Sequence, residues 1–384
     1  MKEMNICPVY KLCGGCQYQG VEYSKQLSFK QEKVNALLNK IHKVEPIMGM
    51  KDPLNYRNKV QVSFGYDDNH NVICGNYVSS THRIVEIDDC MICDTKANEI
   101  IQSIKKLIIK YRISVFDEDA LKGCIRHLLI RSTNQNEYMV VLVTGSQIIK
   151  NKDLFIKDIL KFNKVVKTIV QNINNKHTSM VLGNRSFVLY GNGYIIDKLC
   201  GLKFRISASS FYQVNITQTE VLYRKAIEAA NLSKDDIVID AYCGTGTIGL
   251  VASKHCKEVL GVEINQQAIK DAITNMKLNR VNNAAFICED AGKYMNFLAK
   301  KKFKVDVVIM DPPRTGSDKK FINSLISLSP RKVVYVSCNP DTLKRDLIQL
   351  SKHYCIKQIQ PVDMFPFTNH VECVVQLEKK KNYV

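Results

Sequence analysis

No apolar run in this 384-residue chain approaches the roughly 18 residues that a membrane-spanning helix needs. The first residues, Met1-Lys-Glu-Met-Asn-Ile-Cys7, lack the apolar stretch of a secretory leader. Both absences point to the cytoplasm. No internal repeat and no low-complexity linker interrupts the sequence, and its length leaves room for two or three domains. Arginine is scarce, at 12 of 55 basic residues, yet the net charge is +18. Such an excess indicates a polyanionic partner. Lysine, asparagine and isoleucine are abundant together, so part of it is compositional, and charge alone moves the reading only modestly toward nucleic acid.

Cysteine is plentiful, at 14 residues. A cytosolic chain does not use that many for a disulfide framework, which leaves metal ligation and catalysis. Three of them form the array Cys7-Pro-Val-Tyr-Lys-Leu-Cys13-Gly-Gly-Cys16, where Gly14 and Gly15 let the backbone wrap one centre. Asp89-Cys90-Met-Ile-Cys93 offers two candidates for a fourth ligand. Four thiolates suit zinc or an iron–sulfur cluster. The spacing departs from the paired C-x2-C of a zinc ribbon and no histidine lies near, so a [4Fe–4S] cluster is the favoured reading.

Residues 23–41 carry Leu27, Val34, Leu37, Leu38 and Ile41 at helical spacing. After Pro46 the texture becomes β-like, with alternation in Val60-Gln-Val-Ser-Phe64 and a hairpin formed by 123–131 and 137–143. Tyr56-Arg-Asn-Lys59 has the character of a phosphate grip or of a solvated strand entry. From Ser209 onward strands and helices alternate, the pattern of a parallel α/β sheet, and two closing strands end with an antiparallel one expected at the far side. Four segments are therefore expected: a cysteine segment at 1–20, a helix at 21–48 docked on the last segment, a mixed α+β, mainly antiparallel β-rich domain at 49–208, and a Rossmann-like α/β domain at 209–384.

Asp240-Ala-Tyr-Cys-Gly244-Thr-Gly246-Thr-Ile-Gly249 follows a strand and opens a helix, and Glu263 closes the next strand. This G-x-G-x-x-G with a downstream carboxylate fits a dinucleotide site. S-adenosylmethionine also needs a glycine loop and a ribose acceptor, and carboxylates after successive strands (Asp240, Glu263, Asp290, Asp311) favour it. Asp311-Pro-Pro-Arg314 lacks the aromatic residue usual in amino-methyltransferases. One strand later, Lys332-Val-Val-Tyr-Val-Ser-Cys338-Asn-Pro340 sets a thiol at a strand's carboxyl end, where open α/β sheets bind ligands. Alone, Cys338 reads as a small buried hydrophobe.

With Phe211-Tyr-Gln213-Val-Asn and His370-Val-Glu372 added, the chain from Cys7 to its C-terminus resembles the RNA uracil-5-methyltransferases that modify ribosomal and transfer RNA. The resemblance implies Cys338 as nucleophile and Glu372 as base. It implies contacts of Gln213, Tyr242, Thr247, Glu263, Asp290 and Asp311 with S-adenosylmethionine or the uracil. It also implies Cys7, Cys13, Cys16 and Cys90 as [4Fe–4S] ligands, with Cys93 as the competitor for the fourth place. Many family members begin with a β-barrel RNA-binding domain; this chain has the look of a shorter, 23S ribosomal RNA type.

The chemistry explains the residue types. A thiolate adding to uracil C6 makes C5 a carbon nucleophile, so one hard step becomes two easier ones. The thiol needs surroundings that lower its pKa. A carboxylate must then remove the C5 proton so that the thiol can leave. The target base has to be unpaired or flipped, with Phe211 or Tyr212 placed to stack on it. The rivals are the same chemistry on transfer RNA and a non-catalytic iron–sulfur RNA-binding protein, which would need neither Cys338 nor Glu372. The reaction transfers no electrons, so a cluster here is structural or positions RNA. No protein partner is implied.

Overall fold

The computed structural model describes residues 6–78 and 81–380. Residues 1–5, on which the reading of a missing leader rests, and 381–384, the end of the expected methyltransferase segment, lie outside the described residues. The chain begins with one turn of helix, α1 (Tyr10–Cys13), then α2 (Tyr23–Leu38). A central unit follows with β1 (Lys59–Tyr66), β2 (Val72–Tyr77), β3 (Ile84–Glu86), α3 (Thr95–Lys110), β4 (Ile125–Ser132), β5 (Tyr138–Thr144), α4 (Lys152–Phe162), β6 (Val166–Ile173) and β7 (Arg185–Tyr190). The hairpin β8 (Tyr194–Leu199) and β9 (Leu202–Ser207) leads into α5 (Ile216–Ala230).

The catalytic unit then alternates: β10 (Ile237–Ala241), α6 (Thr247–Ala252), β11 (Glu258–Glu263), α7 (Gln266–Leu278), β12 (Ala284–Cys288), α8 (Ala291–Lys300), β13 (Val307–Met310), α9 (Lys319–Leu328), β14 (Lys332–Ser337), α10 (Pro340–Leu350), β15 (Tyr354–Val362) and β16 (Glu372–Lys379).

Strand order in the catalytic sheet is β12-β11-β10-β13-β14-β16-β15. Order reverses between β10 and β13, so the crevice opens at their carboxyl ends. Here the expectation that the last strand lies at the far side is corrected. β16 inserts between β14 and β15, antiparallel to both, and β15 takes the edge. Its apolar residues Cys373, Val375 and Leu377 are fully buried, which an edge strand would not require.

The central sheet, β3-β2-β1-β4-β5-β6-β7, is antiparallel except where α4 carries β5 over to a parallel β6. Val60, Val62 and Phe64 alternate onto the face covered by α3, sharing a core with Ile100 and Ile104. Leu129, Met139 and Val141 point the other way and pack with Ile195 and Phe204 of the β8–β9 hairpin. Helix α2 buries Val34 and Leu38 against Leu343 and Leu347 of α10. Among the described residues no helix is long and apolar enough to cross a membrane.

Candidate active site

Strand registers bring Cys338 and Glu372 together. Ser337 pairs with Cys373, so extending the antiparallel ladder by one residue sets Cys338 opposite Glu372. Cys338 and Glu372, 34 positions apart in the sequence, thus meet only because β16 inserts. Asn339 caps α10 by accepting the Asp341 N–H at 3.1 Å, and Pro340 occupies the helix's first turn, where its missing N–H costs nothing.

The glycine loop is held by carboxylates. Asp240 Oδ2 accepts the Gly249 N–H at 2.7 Å, and a Cβ at Gly249 would stand 2.7 Å from that oxygen. Glu263 accepts the Gly244 N–H at 3.3 Å and the Asn265 N–H at 2.9 Å. Tyr242 adopts φ +62°, a strained conformation for a non-glycine residue, and its ring lies 4.9 Å from that of Phe321.

A cavity of about 620 Å³ collects most of the expected residues: Gln213, Tyr242, Thr247, Glu263, Asp311, Cys338 and Glu372 all line it. Asp290 does not; its carboxylate accepts the Lys293 N–H at 2.8 Å and caps α8. Thr247 shares a 2.8 Å hydrogen bond with the Tyr223 hydroxyl, and the Gln213 carbonyl accepts from Asn58 at 3.1 Å. Tyr212 is buried, whereas Phe211 is 70% exposed at the cavity wall, so only Phe211 offers a free ring face. Sequence reasoning missed Asn265, Tyr223 and Phe365. Asn265 was readable as the cap of α7; Phe365 reaches the wall from the β15–β16 loop, which only the topology reveals.

Burial raises three of the acids in the cavity. Glu372 is pushed up to about 8, burial leading, Asp311 adding and Arg314 opposing. Asp311 rises to about 7 through burial. Asp240 also rises to about 7, from burial and then the charges of Asp311 and Glu263. Cys338 corrects the expectation of a lowered pKa: burial, then Glu372 and Asp311, push the thiol up to about 11. Arg314 pulls the other way, and a second opening of about 250 Å³ on this side of Cys338 is lined by Lys33, Arg314 and His370.

The cysteine segment lies apart from this cavity. Among the described residues no group of three or more His, Cys, Asp or Glu side chains is set to hold a metal ion. The four expected thiols are nevertheless near neighbours. Burial raises Cys7, with Cys90, Cys13 and Asp89 adding to the rise. Cys16 is pushed up to about 11 by burial, and Cys90, Cys13 and Cys7 contribute. Cys90 is lowered to about 6, chiefly by a hydrogen bond from the Cys93 thiol, whose own pKa rises.

A Rossmann-like sheet with this strand order, loop and cavity defines an S-adenosylmethionine-dependent methyltransferase. The family profile described as tRNA (Uracil-5-)-methyltransferase matches residues 22–380. An uncharacterized RNA methyltransferase of Oceanobacillus iheyensis is 44% identical over 376 residues, 96% of this chain and 82% of the relative. One from Halalkalibacterium halodurans is 44% identical over 381 residues, 97% of this chain and 83% of the relative. The crystal structure of Pyrococcus abyssi tRNA (uracil-54, C5)-methyltransferase with S-adenosyl-L-homocysteine superposes with a TM-score of 0.78 at 28% identity, covering 95% of this chain and 86% of that one. The chain belongs to the RNA uracil-5-methyltransferase family.

Proposed function

We propose that this enzyme methylates C5 of a uridine in RNA through a covalent Cys338–C6 adduct, resolved by Glu372. The observation that carries the reading is that Cys338 and Glu372, each one residue beyond the Ser337–Cys373 pair, line the same glycine-loop cavity. Cys338 loses its thiol proton to solvent, the thiolate adds to C6 and the ring becomes an enolate with nucleophilic C5. Bound S-adenosylmethionine would supply the methyl: C5 bonds to it, the methyl–sulfur bond breaks and neutral S-adenosylhomocysteine leaves, while before transfer the sulfonium charge favours the anionic forms of the groups facing it. Glu372 then takes the C5 proton, the C5=C6 bond re-forms and the thiolate departs. A carboxylate raised to about 8 is a stronger base than an ordinary one, which suits that step. Glu263, Tyr242, Thr247 and Gln213 hold the cofactor, Glu263 at its ribose; Asp311 and Arg314 flank the uracil; Phe211 stacks on the flipped base.

Cys7, Cys13, Cys16 and Cys90 are proposed to hold a [4Fe–4S] cluster. Cys7 and Cys16, whose anionic forms burial and the neighbouring thiols disfavour, belong to a donor set that a polycationic centre would relieve. Cys90, acidified by Cys93, is the better fourth ligand. The substrate is proposed to be 23S ribosomal RNA, following the motif resemblance. Transfer RNA is the second reading, favoured by the substrate named for the Pyrococcus relative.

The test is adduct trapping with methyl-labelled cofactor. Cys338→Ala is expected to give neither product nor adduct. Glu372→Gln keeps the shape without the base, so methylated RNA is expected to stay attached to protein on a denaturing gel. Normal turnover by Glu372→Gln, or methylation by Cys338→Ala, would sink the mechanism. Mapping 5-methyluridine in ribosomal and transfer RNA from cells with and without the protein decides the substrate.

A further inference from the structure

A second cavity, of about 370 Å³, opens on the central sheet and takes no part in the chemistry above. Its floor follows from strand alternation. Ser63 of β1 pairs with His127 of β4, and both lie on the face opposite α3, since Val62, Phe64 and Leu128 fill the core beneath. Tyr77, Arg126, His82 and His177 complete the walls.

The chemistry of this cavity is aromatic with its charges paired: His82 Nδ1 stands 3.0 Å from Asp119 Oδ1. Arg126 donates to Glu118 through Nε at 2.8 Å and Nη2 at 2.5 Å, and the Tyr77 hydroxyl donates to Glu118 at 3.0 Å. These two charges satisfy each other, so neither is left for a phosphate. Ser63 Oγ and His127 Nδ1 are 2.9 Å apart, and His127 is 4% exposed. Burial and Arg126 push His127 down to about 4, so its imidazole is neutral at physiological pH. Its Nε2 has no hydrogen-bond partner among the described residues, and the ring lines the cavity. Around it stand ring edges: Tyr77 to His127 at 6.4 Å and 88°, and His82 to His177 at 6.4 Å and 87°. Neutral donors and acceptors between aromatic edges suit a heteroaromatic ring better than a phosphate or an alkyl chain.

Position supplies the rest. Asn58, just before β1, donates to the Gln213 carbonyl in the catalytic wall. Ser63 is five residues along the strand, about 17 Å away at the usual rise. Lys59 and exposed Gln61 lie between them on the same face. We propose that this cavity is a second nucleobase site, holding an unpaired base of the same RNA strand whose uridine enters the catalytic cavity. The proposal rests on RNA being the substrate; the strand then runs along β1 with one splayed base in each cavity.

The test uses His82→Ala/His177→Ala, both exposed in the full-length protein, with an RNA fragment that wild type methylates. Affinity for that RNA is expected to fall about tenfold, the usual loss for one stacked base, with S-adenosylmethionine affinity unchanged. Abasic substitution near the target uridine is expected to reveal one position that costs wild type the same factor and costs the variant nothing. Equal RNA affinity of variant and wild type, or additive losses at every abasic position, would overturn the second site while leaving uridine methylation intact. If wild type methylates no uridine, the functional reading fails by itself, and the affinity comparison with total RNA still judges the cavity.

Discussion

Glu372 is a carboxylate held where water cannot solvate its charge, and that sets how the protein responds to pH. Its folded pKa of about 8 lies above the unfolded value of roughly 4.3. Between those values the native state binds more protons than the unfolded one, so stability falls as pH rises through the window. Glu372→Gln is therefore expected to raise Tm without cofactor or RNA, by little at pH 5 and by more at pH 8.5. Melting curves across that range check it; a gain that shrinks with rising pH would show that the charge is not buried as described. Glu263 is a different case, since its carboxylate already faces two loop N–H groups. Glu263→Ala is expected to weaken S-adenosylmethionine binding by about 1.5–3 kcal/mol, as for a charge-assisted bond, with RNA affinity unchanged by calorimetry.

The loop between β15 and β16 carries Phe365 and His370 to the cavity and delivers Glu372, and it is fastened from outside the catalytic sheet. Lys30 of α2 donates to Asp363 at 2.6 Å and to the Phe365 carbonyl at 3.0 Å, the ion pair being wholly buried. Burial pulls Lys30 down even beside that partner. Gln26 accepts the Phe367 N–H at 2.9 Å, and the Tyr56 hydroxyl donates to the Pro366 carbonyl at 3.0 Å. Lys30→Met leaves a buried carboxylate without its cation, at a cost of about 3–5 kcal/mol in urea unfolding; kcat is expected to fall with it. A loss under about 1 kcal/mol would mean that Tyr23, which donates to Asp363 at 2.9 Å, carries the fastening alone. None of this was legible in the sequence, where Lys30 reads as one polar residue on an amphipathic helix. The strand before Cys338 was legible, because a fully buried parallel strand shows as an apolar run: Lys332–Ser337 falls within the stretch read for it. Helix α3 stood inside a segment read as β-rich although Asp94 caps it and Ile100, Ile104, Leu107 and Ile108 mark its inner face. Pairing Cys338 with Glu372 needs the inserted β16, which local pattern cannot supply.

At the scale of the molecule the cysteines sit where its parts join. Asn76 of β2 donates to Cys13 Sγ at 3.2 Å, and Cys16 and Cys90 pack with Phe367 against the central core. Directly after Cys16, Gln17 accepts the Asn369 N–H at 3.2 Å and the Tyr18 N–H donates to the Phe367 carbonyl at 3.0 Å. The proposed cluster thus ties the central sheet to the loop that positions Glu372, which gives a metal with no part in the electron balance a reason to be there. Anaerobically purified protein is expected to be brown with about four iron atoms per chain, as the cluster type requires. Cys16→Ser is expected to bleach it and to speed amide exchange at Phe367 and Asn369 while β10 and β13 stay protected. Bleaching by Cys93→Ser but not by Cys90→Ser would exchange the fourth ligand and leave the tie in place. Colourless wild type with one zinc would remove the cluster. Bleached protein with exchange unchanged at Phe367 would show that hydrogen bonds alone hold the loop, and that the metal serves the surface that meets RNA.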